Sequence, residues 1–259
     1  LFPFVGVFER VLSRVGHTKS EDVEDFSTPK YLDKTVTSDF GKAVHAVQAE
    51  TQRHLLGGAM FLAIARGDKD APVDPGSHHA ATDILSRDIR AFTSNLFKDD
   101  MPYEQLDLVA SLIEEADFTA SLSESLHQVA RRVKRETFGP EARELVDAAI
   151  QTVDVALRAI MPEASLNRPA MPAGHAQSQS VEDLRMRLLN YGPKIKAHER
   201  GAILALLGSV ERSQLLIERI DAERKSVNRT GVVARATSAT QARDSRDGGV
   251  GTLNPAPAG

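Results

Sequence analysis

The stretch MPYEQLDLVASLIEEADFTASLSESLHQVARRVKR, Met101 to Arg135, decides how the rest of the chain reads. Leu106, Val109, Leu112, Ile113, Ala116, Ala120, Leu126, Val129 and Val133 recur mostly at three- and four-residue steps, which places them along one stripe of an α-helix. The ends agree with that reading. Asp99 and Asp100 face the positive end of the helix dipole, Pro102 falls in the tolerated first turn, Arg131, Arg132, Lys134 and Arg135 gather at the negative end, and Gly139-Pro140 stops the pattern. A helix of this length spans roughly 50 Å, so its apolar stripe has to be covered by other helices lying alongside. Glu114, Glu115 and Asp117 in mid-helix are the residues that an ordinary core would not need.

The same period recurs on both sides. Upstream, Thr37-Ser38-Asp39 opens a helix that runs to Arg66, with Gly57-Gly58 in its middle predicting close approach of a neighbour. Gly67 to Gly76 reads as a turn, and a second helix extends from about His78 to Phe97. Downstream, Leu145, Val146, Ala149, Ile150, Val153, Leu157 and Ile160 mark a helix of about 20 residues. Pro162, Pro169 and Pro172 then break the chain, and a short helix from Val181 stops at Gly192-Pro193. A last long helix runs from about Lys196 to Glu223. The expected fold is therefore all-α, as two successive three-helix bundles over 37–137 and 138–226. Setting the third helices over one another places Leu112-Ile113-Glu114-Glu115 over Ser209-Val210-Glu211-Arg212, an internal duplication in outline.

Composition narrows the function classes. Aromatics at 5% with no Trp favour helix bundles over sandwiches or barrels, and 41% hydrophobic residues is enough for a sizeable core in 259 residues. A formal net charge of -4 gives no general attraction to nucleic acid, and the absence of Cys removes disulfides, thiolate chemistry and Cys-bearing zinc sites. The first residues, LFPFVGVF followed by Glu9 and Arg10, read as the end of a transmembrane helix or a juxtamembrane helix over 1–16, with Arg10, Arg14 and Lys19 favouring the cytoplasmic side. Residues 17–36 read as a polar linker interrupted by Pro29, and 227–259 as a disordered tail rich in Thr, Ser, Ala, Gly and Pro.

The LFPFVGVFERVL start, the TPKYLDKTV segment and two three-helix sets with acids in the third helix together resemble the C-terminal end of bacterial sodium/phosphate cotransporter family proteins. In that family a transmembrane transport domain is followed by a cytoplasmic domain similar to PhoU, the phosphate-signalling regulator. The resemblance implies that the whole protein carries out sodium:phosphate symport and that this segment is a regulatory module, not an enzyme. It implies a plasma (inner) membrane location with this segment on the cytoplasmic side. The implied partners are its own N-terminal transmembrane transport domain and the membrane, with a homodimer allowed and no nucleic acid. The alternative is a soluble PhoU-type phosphate-signalling, metal-binding regulator.

PhoU-like bundles often carry a carboxylate followed four residues later by Asp, a spacing that shares one helical face and gathers metal ions. Here Glu114 precedes Asp117 by three, Glu211 is followed by Gln214 and Leu215, and Glu218 with Asp221 restores an i, i+3 pair. These acids are read as solvated or ion-paired, and no metal ligand, cofactor or catalytic residue is assigned. His78 and His79 at a helix start, and His45, His54, His127, His175 and His198 elsewhere, lack the HExxH spacing of zinc hydrolases. Ser121, Ser123 and Ser125 near His127 form no triad, because alternate residues on a helix point to different faces.

Overall fold

A computed structural model describes residues 25–161 and 179–229. The expected membrane-proximal helix over 1–16, the first part of the linker, the Pro-rich connection over 162–178 and the tail from 230 lie outside the described residues. Six α-helices follow in order: α1 Phe40–Arg66, α2 Pro75–Ser94, α3 Tyr103–Arg135, α4 Pro140–Ile160, α5 Val181–Tyr191 and α6 Ala197–Arg229. Among the described residues there is no strand, and no helix is long and apolar enough to cross a membrane.

Local chemistry fixes most of the boundaries. Asp39 caps α1 by accepting from Lys42 N at 3.1 Å, and Gly67 ends it in the left-handed region at φ 78°. Asp74 accepts from the backbone N–H groups of Gly76 and Ser77, and Pro75 then occupies the first helical position with a φ already suited to it. For that reason α2 starts three residues before the expected His78. Ser180 and Asp183 form a capping box at the start of α5. The start of α4 borrows a cap from another helix: Glu199 of α6, 4% exposed, accepts from Gly139 N at 2.6 Å and from Lys196 N at 2.9 Å.

The helices pack as two successive three-helix sets. α1, α2 and α3 contact one another, as do α4, α5 and α6, and the 33-residue helices α3 and α6 form the largest contact among the described residues. Contacts along that seam show the two long helices running antiparallel. Arg224 Nε donates to Glu115 Oε1 at 2.6 Å at one level, and Ser125 Oγ lies 3.0 Å from Ser213 Oγ and 3.1 Å from Ser209 O further along. The sequence register that sets Leu112 over Ser209 carries the Ser125 and Ser213 pair onto Ala116 and Ala222. Those positions lie one and two residues from the Glu115 and Arg224 pair, as a two-fold relation between the sets requires.

Gly57 and Gly58 are close-approach positions, as their sequence predicts. A Cβ on Gly57 would meet Phe26 and Thr82 at 3.0 Å, and one on Gly58 would meet Ser123 at 3.4 Å. The segment expected to be a tether is instead docked from residue 25 onward. Phe26 is 1% exposed, Glu50 accepts from Lys30 N and Tyr31 N at 2.8 Å each, and Arg53 pairs with Glu50 and donates to Asp25 O. One buried aromatic ring and a buried ion pair hold a segment whose average composition is polar. At the other end, α6 continues past the expected stop, and Val227, assigned to the tail, is 2% exposed and packs with Phe26, Leu108 and Val109.

The long stripe of α3 is also redrawn. Leu108, Leu122, Ser123 and Ser125 are buried there while Leu106, Ile113 and Ala120 are only partly covered, because α3 is flanked by α1 and α2 on one side and α6 on the other.

Candidate functional site

The acids of the third helices do not converge on one another. Glu114 is exposed and turns toward α6, where Glu223 is held above the usual carboxylate range first by burial and then by the nearby Glu114 charge. Asp117 turns toward α2 and pairs with Arg90. The i, i+3 spacing of Glu114 and Asp117 therefore sends them to opposite neighbours. In the second set Glu211 pairs with Arg185 at 2.7 Å, and the Arg185 hydrogen bond holds its carboxyl below the usual range. Asp221 pairs with Lys225, and Glu218 is exposed. Glu115, which stood unassigned among the three mid-helix acids, is the buried one, tied to Arg224 while that guanidinium also donates to Ile160 O at 2.9 Å.

A different group does converge. Because α2 and α3 run antiparallel, with Arg90 level with Asp117, the start of α2 comes level with the C-terminal half of α3. There His79 Nε2 lies 3.3 Å from Glu124 Oε2, and His127 Nδ1 lies 3.7 Å from the same oxygen. The two imidazoles stack with centroids 4.1 Å apart and planes 17° from parallel. One donor atom from each of His79, Glu124 and His127 falls within 4.8 Å of the others, close enough for the three to hold a metal ion.

The surroundings set the electrostatics of this cluster. Phe61, fully buried, contacts His127 at 5.2 Å and His78 at 4.9 Å between centroids, an apolar floor beneath the imidazoles. His78 faces inward, its Nε2 2.8 Å from Gly57 O. Burial favours its neutral form against the opposing hydrogen bond to Gly57 O, with smaller contributions from His79 and His127. His127 is likewise pushed toward the neutral imidazole, by burial first and then by His79, against an opposing pull from Glu124. The Gln128 amide donates to Glu124 Oε1, which leaves Oε2 for the imidazoles.

The serine triad is absent from this geometry. Ser123 faces Gly58 of α1, and Ser125 faces Ser209 and Ser213 of α6. An open groove of about 430 Å³ lies at the opposite end of the α2 and α3 pair, lined by Phe40, Leu96, Lys98, Asp100, Met101 and Gln105 among others.

Sequence reasoning passed over the His79, Glu124 and His127 cluster because only two of its members share a helix. The local signal was present as Glu124-x-x-His127, a spacing that puts a carboxylate and an imidazole on one helical face. What the sequence lacked was the register that brings His79 to it.

The fold defines the class of protein: an all-α bundle of two three-helix sets with the third helices back to back. Comparison of the chain with protein-family models, with curated proteins and with solved structures finds no match.

Proposed function

We propose that this chain is a PhoU-like regulatory domain, attached on the cytoplasmic side of the plasma membrane to a sodium-dependent inorganic phosphate transporter, and that it binds and regulates but does not catalyse. The observation that carries the reading is the relation between the two halves. Each is a three-helix set ending in a 33-residue helix, and the sequence register between them maps one α3–α6 contact to within two residues of another. An acidic residue sits in mid-helix in both long helices, at Glu114 and Glu211, each at the protein surface. A surface of this kind, built on long rigid helices, suits recognition of another protein surface better than enclosure of a substrate.

The test is transport. The gene containing this segment is expressed in cells lacking their own phosphate import, and uptake of labelled phosphate is followed with sodium or with choline as the counter-ion. Sodium-stimulated uptake is expected, with its response to intracellular phosphate lost when 37–226 are deleted. Uptake indifferent to sodium, with the protein in the soluble fraction, would overturn the transporter assignment in favour of a free-standing PhoU-type regulator.

A further inference from the structure

We propose that His79, Glu124 and His127 form a binding site for a single borderline divalent transition-metal ion, with Zn²⁺ the best-suited species. The site lies apart from the acids at 114, 117, 211, 218 and 221, and it stands whether or not the chain belongs to a transporter.

The donor set comes first. Two imidazoles and one carboxylate suit Zn²⁺, Co²⁺, Ni²⁺ or Fe²⁺, while imidazole is a poor ligand for Mg²⁺ and Ca²⁺. The distances fit as well. Donors held about 2.0–2.1 Å from a tetrahedral ion lie about 3.4 Å from one another, and the imidazole nitrogens approach Glu124 Oε2 at 3.3 and 3.7 Å.

The cluster is also poorly explained as an ion pair. At 3.7 Å the His127 contact is too long for a hydrogen bond, and His127 Nδ1, the atom that faces Glu124, is buried without a hydrogen-bond partner. Two imidazoles stacked at 4.1 Å with planes 17° apart repel if both are protonated, and binding one ion turns the rings out of that stack to bring both in-plane lone pairs onto it. A metal ion uses both as neutral ligands.

The neighbours complete the arrangement. Gln128 fixes the carboxylate through its other oxygen, the hydrogen-bonded orientation that metal-ligating carboxylates need. Phe61 closes the inner side, and the side chains grade from 12% exposed at His127 to 33% at His79 and 47% at Glu124. An ion thus has an entry path from solvent and a fourth position open to water or to a ligand from a partner. It would also tie the first turns of α2 to the C-terminal half of α3, two elements that the backbone joins only at their other ends.

The experiment is a calorimetric titration of the full chain, freed of metal with a chelator and titrated with Zn²⁺ alone, beside the variants Glu124→Gln, His79→Gln and His198→Gln. One equivalent is expected to bind to the parent chain and to His198→Gln, with affinity lowered about tenfold or more in the other two. Glu124 is exposed, so Glu124→Gln keeps the fold and the comparison does not depend on a destabilised variant. Co²⁺ should give the visible absorption of a low-symmetry site in the parent and lose it in Glu124→Gln, and imidazole proton resonances of His79 and His127 should shift while those of His54 stay in place. Zn²⁺ binding that is absent, or that survives unchanged in both Glu124→Gln and His79→Gln, would overturn the site.

Discussion

His54 gives the sharpest test of the described core. It lies on α1 at 1% exposure with Nδ1 buried and unpartnered, and burial depresses its pKa from 6.5 to about 4. The unfolded chain therefore binds a proton at this residue across the window from about pH 6.5 to pH 4 where the folded chain does not. Stability rises with pH wherever the unfolded state holds more protons, so the His54 contribution is complete above pH 6.5 and is lost as pH falls toward 4. The shift corresponds to about 3 kcal/mol in full, and most of that is lost by pH 4.5, at about 1.4 kcal/mol per pKa unit. The perturbation is His54→Leu, which keeps the volume and removes the proton site. Urea unfolding of parent and variant at pH 7.5 and pH 4.5, in chelator, should show the parent losing about 2 to 3 kcal/mol more than the variant on acidification, with equal slopes against urea. Carboxylates held below their usual range, such as Asp25, Asp74 and Glu199, act on both proteins alike and cancel in the difference. Parallel losses in the two proteins, or a His54 imidazole that titrates near 6.5 by NMR, would refute the argument.

Three further outcomes follow from the packing. Glu115→Ala removes the buried partner of Arg224 and should lower unfolding stability by about 3 kcal/mol in a denaturant titration, because a partly buried guanidinium is left uncompensated. Phe26→Ala should lower stability by about 3 kcal/mol, whereas a free tether at this position would leave the urea midpoint unchanged. Gly57→Ala places a methyl group 3.0 Å from both Phe26 and Thr82 and should cost about 1 to 3 kcal/mol, with near-ultraviolet circular dichroism reporting the displaced ring.

How far the fold could be read ahead of the structure depended on where its determinants lie along the chain. Helix positions were legible because their signals are local: Asp39 and Gly67 bracket α1, and Gly139-Pro140 separates α3 from α4. The sequence places the start of α2 at His78 because Pro75 falls within the Gly67 to Gly76 turn pattern, whereas after Asp74 it occupies the first helical position. Docking of residues 25–36 was not legible, since it rests on Phe26 meeting Gly57 and on Glu50 and Arg53 meeting backbone groups 19 and 28 residues away. The face assignment of α3 failed where a simple stripe would fail, at a helix covered on more than one side.

The candidate site shows the same division, and it explains why the acids misled. An i, i+3 spacing guarantees a shared face only while one neighbour covers that face. α3 lies between α2 and α6, so Glu114 goes to Glu223 and Asp117 to Arg90. Glu124 and His127 have the same spacing, yet they stay together because both face the first turns of α2, where His79 supplies a third donor. Spacing along a helix therefore nominates pairs, and the neighbouring helix decides which pair becomes a site. In this bundle that decision moves the metal-binding argument from the acids of mid-helix to two histidines and a glutamate two turns further on.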